Sequence, residues 1–315
     1  MPLDHYVSQV HLRNFYSPKT KRLFAFRKSD LKRFPPRSED VCRIEDGSTN
    51  AYLKDDRIVE RFLLDVEPKY NASLAKLRDD KIDQECVYSI AGFAAYVASC
   101  APAAMRIHTE PLKAALQAHV ILLDRQGILS KAPEALGGKS ATELLADKTI
   151  QFNVNEKFPQ AIGITTIMKF VSIWGNSCWE ILHNDDPETQ FLTSDFPAAI
   201  ELRPDQIINR VIPLAPNLAV RFIPDPRQSR AKVDLSFSGF RYRHRTPSRA
   251  EAIEINRLIV QCAEDVVFWH DERGWIAGFV EKHRHFQVEG VSDLVPHGNG
   301  FLTVNRQRIV AKRAA

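Results

Sequence analysis

The sequence predicts an α+β protein, helix-rich, with a mostly antiparallel sheet formed by residues 178–243 and joined by a strand at 22–28. Helical spacing of apolar residues dominates 55–177. Short apolar runs separated by Asp, Asn, Pro and Gly dominate 178–243. Helices precede strands instead of alternating with them, which disfavours a sheet built from βα units.

Each element has its own warrant. Arg22 to Lys28 (RLFAFRK) reads as a strand. Ile58, Phe62 and Val66 share one helix face, and Asp55 and Asp56 precede it, where free N–H groups and the helix dipole favour anions. Pro68 breaks or kinks this helix, and Tyr70, Leu74 and Leu77 continue beyond it. A second helix is expected from about Asp83 to Cys100. A third is expected from near Thr109, with Pro111 in its first turn, ending before Gly127. Phe158 to Trp174 follows as another helix. CWEILHN and QFLTSD, separated by Asp185, Asp186 and Pro187, read as a hairpin. LAVRFIP and VDLSFSGFRYR are further strands, and Pro247 and Ser248 open a closing helix over 247–269. The whole chain, 1–315, reads as one composite domain: a helical part at 55–177, a strand-rich part at 178–243 and the closing helix.

Composition bounds the function classes. Apolar residues make up 44% of the 315 and charged residues 26%, which is the globular range. A formal net charge of +4 excludes an overwhelmingly basic chain but permits a local basic surface. The N-terminus lacks the pattern of a signal peptide. Val87 to Met105 has the length of a membrane span, but Gly92 and scattered polar residues point to a buried helix and no membrane partner. The five cysteines include no CxxC pair, which fits free thiols in a reducing, cytoplasmic setting.

HYVSQVHLRNF at residues 5–15 resembles the HYVPQ-x-x-L-R-x-F opening of the bacterial family known as domain of unknown function 4238. IVERFLLDVE (Ile58 to Glu67) is similar to that family's I-E-x-x-L-x-x-I-E helix, FLTSDFP (Phe191 to Pro197) to its TSDNP motif, and PLAPNLAVRF (Pro213 to Phe222) to the PLSP strand that follows. The helix around Asn256 and Ala263 is similar to the family's closing helix. Ser8 replaces the opening proline, Phe196 the asparagine of TSDNP, and Cys100 a frequent arginine. The resemblance implies a bacterial-type cytosolic protein and no established activity.

Two constellations carry chemistry. The first is acidic. Glu60 and Glu67 lie two helical turns apart, about 10 Å by the helix rise, if Pro68 only ends the helix. Asp195 follows a strand, where a turn can aim it into a cleft. Three converging carboxylates are hard-oxygen ligands for magnesium or manganese, with His5 as a proton carrier or ligand. The structural alternative makes Glu60 and Glu67 surface ion-pairers and Asp195 a turn cap. The second constellation is basic. Arg241, Arg243 and Arg245 alternate, so on a strand they project from one face and can clamp phosphate or nucleic acid. The alternative is a solvated edge strand. GGKS at Gly137 to Ser140 reads as a turn and helix cap, and His283 and His285 as a lone HxH pair. These features support a metal-assisted phosphodiester hydrolase of nuclease type, suited to a defence or toxin-type system. The alternative is a non-catalytic nucleic-acid-binding or protein-interaction module.

Overall fold

The computed structural model describes residues 3–228 and 231–312. It is an α+β fold with mostly antiparallel sheets, as the sequence predicts. The N-terminal segment contributes β1 (Leu3–His5), α1 (Gln9–Arg13), β2 (Phe24–Arg27), β3 (Arg33–Phe34) and β4 (Arg43–Glu45). The helical part follows as α2 (Ile58–Val66), α3 (Tyr70–Arg78), α4 (Gln84–Cys100), α5 (Pro102–Arg125), α6 (Ala141–Ala146) and α7 (Lys157–Gly175). Strands β5 (Cys178–His183), β6 (Thr193–Ser194), β7 (Ala199–Leu202), β8 (Ile208–Ala215), β9 (Leu218–Ile223) and β10 (Arg241–Arg245) come next. Then come α8 (Arg249–Cys262), β11 (Val266–Trp269), α9 (Trp275–His283) and the long hairpin β12 (Phe286–His297) and β13 (Gly300–Ala311).

Helix α4 is the buried axis. It is apolar on nearly every face, so no face is left for water. Asp83 caps its start, accepting the Cys86 N–H at 2.9 Å. Helix α7 crosses it so closely that a Cβ on Gly163 would lie 2.5 Å from the Ser99 carbonyl oxygen, which requires glycine there. Among the described residues no single helix is long and apolar enough to cross a membrane; α4 and α5 would pass that test only as a pair, and they are bent by 61° at Ala101.

The sheets are partitioned differently from the simplest reading. A five-stranded sheet runs in the order β10-β5-β9-β8-β7, with β10 parallel to β5 and the other pairs antiparallel. A four-stranded sheet runs β3-β2-β11-β6. CWEILHN and QFLTSD therefore do not form a hairpin: β5 pairs with β9 and β10, whereas β6 pairs with β11. The strand at 22–28 joins β11 and not the larger sheet. The closing helix ends at Cys262, and Val266–Trp269, expected to extend it, is strand β11. β-Branched and aromatic residues in VVFW favour that outcome once Ala263 has left the helix. Helix α5 starts at Pro102, not Thr109, and carries Pro111 inside it. Pro68 acts as expected: Glu67–Lys69 is a 3-10 turn joining α2 to α3. Ser140 caps α6 in a reciprocal pair with Glu143, which disposes of GGKS as a phosphate loop.

Candidate functional site

The TSD motif is a junction. Thr193 Oγ1 lies 2.9 Å from His11 Nε2, and the other ring nitrogen of His11 lies 2.8 Å from the Tyr70 hydroxyl. The ring stacks on Phe93, and burial pushes its pKa down to about 3, so the imidazole is neutral. Ser194 Oγ accepts the Phe196 N–H at 3.1 Å. The buried Asp195 carboxylate accepts the N–H groups of Glu264, Asp265 and Val266, each at 2.8 Å. Burial raises its pKa to about 6, against the pull of those N–H donors and of the Lys28 ammonium, while the Glu264 charge pushes the same way as burial. Asp195 therefore fixes the turn between α8 and β11, a backbone role that its position after a short strand also allowed.

The acids expected to hold metal are separated by their own partners. Glu60 pairs with Arg57 at 2.5 Å and accepts the Ser48 hydroxyl at 3.4 Å. Glu67 accepts the Ser8 hydroxyl. Asp195 is taken by backbone. Among the described residues no group of three or more His, Cys, Asp or Glu is placed to hold a metal ion, so the expected magnesium or manganese set of Glu60, Glu67 and Asp195 is not assembled. Pro68 is not the cause: Glu67 still has helical geometry, its N–H bonded to the Leu63 carbonyl, so its two-turn spacing from Glu60 holds. The set fails because each acid is held by its own partners. His5 Nε2 lies 3.2 Å from the Ser38 carbonyl, and its own carbonyl accepts the Tyr96 hydroxyl. Burial lowers its pKa; Glu67 is close enough to oppose that shift.

The arginine row forms as expected on one strand, but its face meets carboxylates. Arg243 lies directly opposite Glu180 in the β10–β5 register. Its Nε donates to Glu180 at 3.0 Å, and Arg245 bridges Glu180 at 2.8 Å and Glu251 at 3.0 Å. Arg221 joins the same group, reaching Glu180 at 2.6 Å, Glu251 at 2.8 Å and Glu201 at 3.0 Å. Arg241 stands apart, 3.5 Å from Asp225. Three arginines and three glutamates thus compensate one another around a carboxylate whose side chain is 3% exposed. Phosphate would have to compete with that arrangement.

A cleft of about 1580 Å³ opens between α5, the 153–157 segment, β4 and the β12–β13 hairpin. Arg106 lines it and links two of its acids. It reaches Glu264 at 2.6 Å, Glu289 at 2.8 Å and the Val288 carbonyl at 3.0 Å. Lys312 donates to the Glu264 carbonyl at 3.0 Å. Burial raises the Glu289 pKa, and Arg106 opposes that. Glu264 is where the two regions meet: its N–H is held by Asp195 while its carboxylate faces Arg106. The charged lining is mixed, with Glu45, Glu110, Glu156, Glu264 and Glu289 against Arg106, Lys113, Lys157 and Lys312. Sequence reasoning missed this site. Its residues come from helix, loop and hairpin positions with no common spacing, and Glu264 lies where the sequence predicts the closing helix to continue.

The family model described as Protein of unknown function (DUF4238) matches residues 4–273. The chain belongs to that family. No curated protein and no solved structure matches it. In this DUF4238 member the matched span includes Arg106, Asp195 and Glu264, whereas Glu289, Ser292 and Lys312, which also line the cleft, lie beyond it.

Proposed function

We propose that this DUF4238 protein is a protein-interaction module whose cleft binds an extended peptide segment carrying both acidic and basic side chains. The observation that carries this reading is the Arg106 bridge between Glu264 and Glu289 in the lining of the large, mixed-charge cleft. Size supports it: about 1580 Å³ exceeds the roughly 300–1,000 Å³ of a typical small-molecule site. Charge supports it as well. Five acids against four bases give no net positive field for a polyanion, but they offer partners to alternating charges along a peptide. The metal-assisted phosphodiesterase reading rested on Glu60, Glu67 and Asp195 meeting, which they do not, and on a phosphate clamp of Arg241, Arg243 and Arg245, of which Arg243 and Arg245 hold Glu180 while Arg241 lies beside Asp225. That reading is the less supported of the two.

The test is direct binding of the full chain to fluorescent mixed-charge peptides, with an oligo-uridine and an oligo-thymidine beside them, each with manganese or chelator. Mixed-charge peptides are expected to bind, to compete with one another and to weaken with salt. Stoichiometric oligonucleotide binding, or metal-dependent cleavage, in the absence of peptide binding restores the nucleic-acid reading and removes this one.

A further inference from the structure

We propose that His183 and His244 form a site for one divalent transition-metal ion of the zinc class, at the β10 edge of the five-stranded sheet and sharing no residue with the cleft. The strands set it up: β10 and β5 run parallel with His244 opposite Ile181, and His183, two residues on at the end of β5, lies on the same face. Their rings stack with centroids 5.0 Å apart, and His183 Nε2 lies 2.8 Å from His244 Nδ1. Two ring nitrogens already converge on one point. A tetrahedral ion at about 2.0–2.1 Å from each needs them roughly 3.4 Å apart, an opening that side-chain rotation supplies.

The second observation is the carboxylate behind the pair. Asp80, in the α3–α4 connection, accepts the Nε2–H of His244 at 2.9 Å, and the Tyr242 hydroxyl also bonds to Asp80. Holding the proton on Nε2 leaves the Nδ1 lone pair of His244 directed at His183. A carboxylate that orients a ligating imidazole in this way is the usual outer partner of a histidine–metal bond. The present contact then needs the His183 proton on Nε2, donated to His244. Metal binding moves that proton to Nδ1 of His183, so both rings stay neutral and each supplies one lone pair. The protein gives two ligands, and water completes the shell. Imidazole ligation favours zinc, copper or nickel over magnesium or calcium.

Titration of the full chain with zinc chloride, and with cobalt chloride read by visible absorbance, tests the site. One equivalent is expected to bind. His183→Ala and His244→Ala are expected to abolish it with the far-ultraviolet spectrum unchanged, Asp80→Asn to weaken it about 10–100-fold, and His283→Ala to leave it alone. Wild-type chain that takes up no stoichiometric ion, or a His183→Ala variant that titrates like wild type, overturns the proposal.

Discussion

The imidazole of His11 in α1 and the hydroxyl of Thr193 in β6 are hydrogen-bonded at 2.9 Å across 182 residues of chain. The contact joins the opening motif to the TSD motif. It predicts a specific acid response. The folded pKa of His11 is about 3, against 6.5 when free. The unfolded chain therefore binds a proton that the folded chain refuses between those values, and stability falls as pH drops from about 6.5 toward 3. The contribution is about 4–5 kcal/mol at its limit. Asp195 works the opposite way: its raised pKa makes stability fall as pH rises from about 4 to 6, by roughly 3 kcal/mol. His11→Gln is expected to remove the first dependence and keep the second. Urea denaturation of both proteins across pH 4 to 7 checks it; parallel curves contradict it.

Asp195→Ala strips three buried backbone N–H groups of their acceptor. A loss of about 3–5 kcal/mol is expected. Hydrogen exchange is expected to accelerate first at Glu264, Asp265 and Val266. A variant as stable as wild type, with those amides still protected, contradicts the latch.

The Glu180 group separates buried from exposed arginines. The Arg221 side chain is 8% exposed and that of Arg243 63%, though both meet the same carboxylate. Arg221→Ala is expected to cost about 3–5 kcal/mol, because it leaves buried charge uncompensated. Arg243→Ala is expected to cost about 1 kcal/mol or less. Chemical denaturation midpoints rank the two, and equal losses refute the ranking.

Gly163→Ala sets a methyl against the Ser99 carbonyl at the α4–α7 crossing. The helices must part, at an expected cost of about 1–3 kcal/mol despite the better helix propensity of alanine. A gain in melting temperature instead would mean the crossing is looser than described.

The sequence was most informative where signals are local. The apolar periodicity around Val66 and Leu74, the stop at Pro68 and the Ser140 cap each depend on residues within a turn of one another, and each appears as predicted. Strand pairing was less legible, because it depends on distant partners. VVFW is expected to extend the closing helix, and it becomes a strand where β2 and β6 flank it. The arginine alternation at 241–245 predicted a shared face correctly, but no sequence spacing reveals that Glu180 faces it from β5. The cleft was the least legible feature. Arg106 and Glu289 are ordinary helix and strand positions until the hairpin packs on α5, where Gly290 permits approach to the Ile107 carbonyl.

Charge exchange at the cleft is the most direct test of peptide binding there. Lys113 lines the cleft and pairs only loosely with Glu110, at 3.7 Å. Isothermal titration of Lys113→Glu is expected to weaken a bound mixed-charge peptide by about 1 kcal/mol, roughly fivefold, and a peptide with lysine replacing the facing acid is expected to recover the loss. Identical affinities for wild type and Lys113→Glu across all such peptides would contradict the assignment of the cleft.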